Sequence, residues 1–275
     1  MDQSSWQNVW DGVIDTPVST RLQKPRNCGW TMVMDKGMGL GETSELLSVA
    51  GRYIDYVKLA FGTSALYNGY ILREKIALIR SLDIDVYPGG TFFEIAIMQD
   101  KMDHFLELAQ ELNFSAIEVS DGTITMSSDT RLQAIKSAAK AGFRVLSEVG
   151  KKDPLEYLTP DTIAAQINFD LAAGASKVIL EARESGLGIG IFGDKGEIRE
   201  ECVEHILAKI PDFNCILWEA PLKKQQQELI LRFGPNVNLG NIPPAEALAL
   251  ESLRVGLRSD TFKPLIERYL CGTLK

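Results

Sequence analysis

Ser176-Lys177-Val178-Ile179-Leu180-Glu181-Ala182-Arg183 sets three branched aliphatic residues in a row and ends on a carboxylate and a guanidinium. An unbroken apolar run of this kind suits a parallel strand buried on both faces, since a strand with one wet face would alternate. Seven further short β-rich runs recur, at 31–35, 56–60, 84–88, 116–120, 143–149, 215–220 and 237–239. Most of the eight carry Asp, Glu, Lys or Arg at or just past their C-terminal ends. The runs at 84–88 and 237–239 lead instead into Gly89-Gly90-Thr91 and Asn241. Charged groups gathered at strand C-termini are the one-dimensional image of an active site on an α/β barrel.

Between these runs, apolar residues recur at spacings of three and four over 42–53, 65–82, 101–112, 131–141, 160–173, 198–208, 224–233 and 245–253. That spacing predicts amphipathic helices. In 131–141, Leu132, Ile135 and Ala139 form one stripe, and Gln133, Lys136 and Lys140 the other. Alternating strands and helices predict a single-domain (β/α)8 TIM barrel over residues 1–275, with residues 1–28 as an N-terminal cover. A doubly wound sheet is the other architecture compatible with this alternation.

Composition narrows the partners. The chain has 275 residues and a formal net charge of −8, which disfavours a nucleic-acid backbone as partner. No apolar run approaches the ~20 residues of a membrane span. The N-terminus has no basic segment followed by an apolar one, and the four cysteines form no Cys-x-x-Cys pair. The expected location is a reducing cytoplasm.

Side chains alternate along a strand with a period of two. On that rule Asp35 aligns with Val33, Lys58 with Tyr56, Glu118 with Ser120, Glu148 with Lys152, and Glu181 with Arg183, while Glu219 closes the set. Such charges inside a barrel are costly unless they neutralise one another, a cation or an anionic ligand. His104 and His205 both fall in helical patterns, which leaves oxygen ligands for any metal. Carboxylates and water suit Mg²⁺, and Glu118, Glu148 and Glu181, on consecutive strands, are the expected ligands. Gly89, Gly90 and Thr91 open a helix whose N–H groups suit an anion, and Gly62-Thr63-Ser64 has the same character. Gly188-x-Gly190-x-x-Gly193 fits a dinucleotide pattern but opens several residues past its strand, so 186–196 reads as a lid instead.

The strand-end strings resemble the phosphosulfolactate synthase family from the first strand onward. They include Asp35-Lys36-Gly37, Gly62-Thr63-Ser64-Ala65, Tyr87-Pro88-Gly89-Gly90-Thr91, Ser120-Asp121-Gly122, Glu148-Val149-Gly150-Lys151-Lys152, Arg183-Glu184-Ser185-Gly186, Glu219-Ala220-Pro221 and Gly256-Leu257-Arg258-Ser259-Asp260. The resemblance implies a barrel that adds sulfite to phosphoenolpyruvate with Mg²⁺, giving 2-phospho-3-sulfolactate, and a homo-oligomer. It also admits a catalytically divergent, stress-associated relative, or enolate chemistry on another phosphorylated acid. For the synthase reaction, Lys152 is the expected proton donor, with a pKa lowered among cations, and Lys151 is the second choice. Lys58 is a further catalytic candidate. Lys36, Ser120, Arg183, Asn241 and Arg258 join Gly89, Gly90 and Thr91 as expected contacts to the anionic substrates.

Overall fold

In the computed structural model, residues 9–152, 156, 158–182, 185–188 and 190–270 are described. The strands are β1 (Thr31–Asp35), β2 (Tyr56–Leu59), β3 (Asp85–Pro88), β4 (Ala116–Val119), β5 (Arg144–Val149), β6 (Lys177–Leu180), β7 (Ile216–Glu219) and β8 (Leu239–Ile242). All pairs are parallel, and the ladder runs β3-β2-β1-β8-β7-β6-β5-β4. A doubly wound sheet would leave β3 and β4 at opposite edges. Here they face each other, and the Ser115 N–H donates to the Val86 carbonyl at 3.1 Å across the seam. The result is a nearly closed (β/α)8 barrel.

The surrounding helices are α1 (Leu40–Ala50), α2 (Gly69–Arg80), α3 (Gly90–Met98), α4 (Met102–Glu111), α5 (Ser128–Lys140), α6 (Pro160–Ala173), α7 (Glu200–Leu207), α8 (Lys223–Phe233), α9 (Ala247–Arg254) and α10 (Ser259–Leu270). Helix α10 lies outside the expected helical patterns, and α3 follows the helix start expected at Gly89–Thr91 although no apolar stripe marked its course. Phe92-Phe93-Glu94-Ile95-Ala96-Ile97-Met98 is apolar almost all round, so α3 shows no stripe to read. The last strand also differs from the expected 237–239. Asn238 uses its side chain where a ladder would form, accepting from the Trp30 N–H and donating to the Asn214 and Ile216 carbonyls. Pairing then starts at Leu239 and runs through Gly240 and Asn241, whose composition suggests a turn.

Each strand is buried on both faces. The outward face packs on the helices, as Val33, Val57, Val86, Ile117 and Val145 do. The inward face builds a layer of Met32, Tyr56, Tyr87, Ala116, Leu146, Ile179 and Leu217, closed toward the strand N-termini by Trp30. Residues 17–30 run across that end. Lys24 Nζ donates to the Ile54 carbonyl at 2.8 Å, and Arg26 pairs with Asp55 at 2.8 Å.

Candidate active site

Two residues beyond the inner apolar layer, the same inward face carries Met34, Lys58, Gly89, Glu118, Glu148, Glu181 and Glu219. All but Glu148 line a cavity of about 270 Å³ that also takes in Ala60, Phe61, Gly90, Thr91, Lys152 and Asn241. One strand breaks the alternation. The β1–β8 register shifts between Thr31 and Val33, and Asn241 adopts a φ of 55°. Bulges of this kind re-aim side chains, and Asn241 thereby reaches the cavity although neighbouring Gly240 also faces inward, against Met32. Its Oδ1 is buried without a hydrogen-bond partner among the described residues.

Lys58 stands at the floor. Its Nζ lies 2.9 Å from Glu118 Oε2 and 3.4 Å from both Glu148 Oε2 and Glu219 Oε1. Lys152 comes from the loop after β5, with Nζ 3.3 Å from Glu148 Oε1, 3.6 Å from Glu181 Oε2 and donating to Thr91 Oγ1 at 3.0 Å. The alignment of Lys152 with Glu148 thus brings both to one place. The surroundings differ from expectation, because Lys152 sits among acids and not among cations. Burial alone would lower its pKa, but Glu148 and Glu181 outweigh burial and raise it above the ordinary lysine value.

The carboxylates divide by environment. Burial pushes Glu118 up to about 7 against the pull of Lys58. Glu148 falls to about 2: burial opposes this, but Lys152, Lys58 and a hydrogen bond from Glu181 prevail. Burial and the neighbouring Glu148 and Glu219 raise Glu181. Burial also raises Glu219, whose Oε2 accepts the Ala182 N–H at 2.9 Å.

Oxygen atoms of Glu148, Glu181 and Glu219 lie within 4.8 Å of one another, all three side chains being buried. An all-oxygen, carboxylate-rich, fully buried donor set fits a hard cation. The group differs from the expected Glu118, Glu148 and Glu181. Glu118 is taken up by Lys58 and by the Gly90 N–H, which donates to its Oε1 at 2.7 Å; Glu219 stands in its place.

This barrel mouth, with buried acids around two lysines, can be set beside known proteins. The model of the (2R)-phospho-3-sulfolactate synthase family matches residues 19–260. The chain belongs to that family. It is 46% identical over 243 residues to the phosphosulfolactate synthase of Methanothermobacter thermautotrophicus, spanning 88% of this chain and 94% of the relative. With the phosphosulfolactate synthase of Bacillus subtilis it shares 40% identity over 255 residues, spanning 92% and 98%. Among solved structures, oxaloacetate acetylhydrolase superposes with a TM-score of 0.51 at 13% identity, covering 85% of this chain and 82% of the other; that likeness speaks for the barrel alone. The family match begins before the first strand and takes in residues 19–28, which the strand-end strings had left out.

Other family-implied positions are dispersed. Asp35 does not face the mouth: it packs on the helix side, pairs with buried Lys75 of α2, and accepts the Gly37 and Met38 N–H groups at 2.8 Å. Lys36 is at the rim, 5.8 Å above the ring of Phe61. Ser120 donates to Glu94 Oε1 at 2.5 Å and does not line the cavity. Lys151 is held by the Asp121 carbonyl at 2.7 Å and carboxylate at 3.3 Å, also away from the cavity lining. Arg258 lies beyond α9, 3.3 Å from Asp260. Arg183 lies outside the described residues. In the segment expected as a lid, the Gly186 and Gly196 carbonyls accept from Gln225 Nε2 of α8. Residues that sequence reasoning missed include Met34 and Phe61 in the cavity wall and Glu94 behind it. Phe61 has a φ of 57°, which no composition rule would assign to a phenylalanine.

Proposed function

We propose that this chain catalyses the addition of sulfite to phosphoenolpyruvate, forming (2R)-2-phospho-3-sulfolactate in the cavity at the strand C-termini. The observation that carries the reading is Lys152 in contact with Glu148 and Glu181, beside the acid group completed by Glu219. The sulfur lone pair of sulfite forms the C–S bond at C3 while the C2–C3 π pair moves onto C2 and the carboxylate. Lys152 then delivers a proton to C2 and regains one from hydrogen sulfite or solvent. Its raised pKa keeps the donor form populated at neutral pH, and the carbanion is basic enough to take the proton. Because the ammonium stands on one wall, tethered to Thr91, protonation occurs on one face and yields one configuration.

Glu148, Glu181 and Glu219 would hold a divalent cation such as Mg²⁺, which as a Lewis acid stabilises charge developing on the substrate carboxylate. Lys36, Gly89, Gly90, Thr91 and Asn241, together with Arg183, are proposed contacts to phosphate, carboxylate and sulfonate oxygens. Lys58 acts from below, holding Glu118, Glu148 and Glu219 toward the cavity. Mass spectrometry of a mixture of the protein, phosphoenolpyruvate, sulfite and Mg²⁺ should reveal phosphosulfolactate; intact phosphoenolpyruvate after long incubation would refute the assignment.

Two further readings accompany it. Exposed Val9, Trp10, Val13 and Ile14 support a homo-oligomer. Cys28, Cys202 and Cys215 as free thiols support a reducing cytoplasm. Among the described residues, no helix is long and apolar enough to cross a membrane.

A further inference from the structure

Glu94 stays out of the cavity wall, yet it is 1% exposed and carries three hydrogen bonds. Its Oε1 accepts the Ser120 hydroxyl at 2.5 Å, and its Oε2 accepts the Thr123 and Ile124 N–H groups, each at 3.0 Å. A buried carboxylate is costly without partners. This one is satisfied only while residues 120–124 keep their path.

The same loop supports Lys152 from the side. The Lys152 N–H donates to the Gly122 carbonyl at 3.0 Å. The lysine stem lies so close to Gly122 that an added Cβ would meet its Cε at 3.2 Å and its Cδ and Cγ at 3.3 Å. One turn before Glu94 on α3, Thr91 Oγ1 accepts from Lys152 Nζ at 3.0 Å. Helix α3 therefore holds the tip of the lysine and the loop holds its stem. Glu94 fastens helix to loop.

We infer that Glu94 is a positioning residue for Lys152, fixing through Ser120, Thr123 and Ile124 the loop against which the lysine stem rests. The inference depends on the reading of Lys152 as the donor to C2. Glutamine can preserve the arrangement, with its carbonyl accepting both N–H groups and its amide donating to Ser120 Oγ. Alanine leaves the Thr123 and Ile124 N–H groups and the Ser120 hydroxyl without their carboxylate partner and frees the loop.

The test compares kcat and both KM values for wild type, Lys152→Ala, Glu94→Ala, Glu94→Gln and Gly122→Ala, each normalised to folded protein. Glu94→Ala should lower kcat about 100-fold, the loss expected when a reacting group is misplaced by about 1 Å. Both KM values should stay within about threefold of wild type, because ground-state binding is untouched. Glu94→Gln should restore most of the rate. Gly122→Ala, which crowds the stem and leaves Glu94 alone, should reproduce the selective fall in kcat. Active wild type, inactive Lys152→Ala and full kcat in Glu94→Ala would overturn the positioning role by itself. Should Glu94→Ala be too unstable to assay, an unchanged kcat in Gly122→Ala would do so. An inactive wild type, or an unimpaired Lys152→Ala, would instead bring down the functional reading on which the inference stands.

Discussion

The two ends of this barrel hold buried charge in opposite ways. Toward the strand N-termini, cations are closed off by fitted partners. Arg21 binds Glu251 at 2.9 and 3.0 Å and the Gly29 carbonyl at 2.9 Å. Arg254 donates to the carbonyls of Pro235, Val237 and Trp30, and Lys177 to those of Asn27 and Asn214. Toward the C-termini, Glu118, Glu148, Glu181 and Glu219 share Lys58 and Lys152, so acids exceed bases. Close pairing, from which only the Nε of Arg254 is left out among these cations, makes the first end a support for the fold. The shortfall of positive charge, with burial, raises the pKa of Glu118, Glu181 and Glu219 at the second end and suits its acid group to a cation.

Breaking each end should therefore produce different losses. Lys152→Ala should have the largest effect, lowering kcat by about 10²–10⁴-fold as expected for a lost proton donor; steady-state turnover beside a melting curve separates this from unfolding. Arg21→Met leaves Glu251 buried and unpaired, and should destabilise the chain by about 3–5 kcal/mol in urea titration with KM unchanged.

A third prediction concerns pH. Folding raises the Glu118 pKa from 4.5 to about 7, burial being the chief cause. The folded chain thus holds a proton that the unfolded chain has released. The associated stability is present below pH 4.5 and disappears as pH climbs through 7. In metal-free protein this amounts to about 3 kcal/mol at roughly 1.4 kcal/mol per pH unit. Denaturation across that window should show the slope in wild type and its absence in Glu118→Gln. The smallest effect should come from Glu181→Gln, which removes one candidate ligand. Mn²⁺ binding followed by paramagnetic resonance should weaken by about 10–100-fold, while an unaltered isotherm would exclude Glu181 from the metal group.

Strand alternation made most of the mouth legible: Lys58, Glu118, Glu148, Glu181 and Glu219 all turn inward above the apolar layer. Asp35 shows where the rule stops. Val33 and Asp35 do share a face, but Thr31-Met32-Val33-Met34 is apolar on both faces, so nothing local says which one looks inward. The answer lies forty residues on, in Lys75 of α2. Ser120 shows a second limit. It belongs to a strand end as expected, yet Glu94, on a helix without a readable stripe, claims its hydroxyl. Asn241 reaches the cavity through a bulge, which alternation does not foresee.

Covalent geometry sets the direction of successive side chains along a strand, so the sequence by itself determined the barrel, its charged mouth and the family. Only the tertiary structure decided that Glu219 and not Glu118 completes the acid group, that Lys152 and not Lys151 lines the cavity, and that Lys152 is made more basic. Those outcomes depend on distances between atoms far apart in the chain, such as Lys58 Nζ and Glu219 Oε1, 161 residues apart in sequence and 3.4 Å apart in space. Electrostatic interaction follows that separation in space and is blind to separation in sequence.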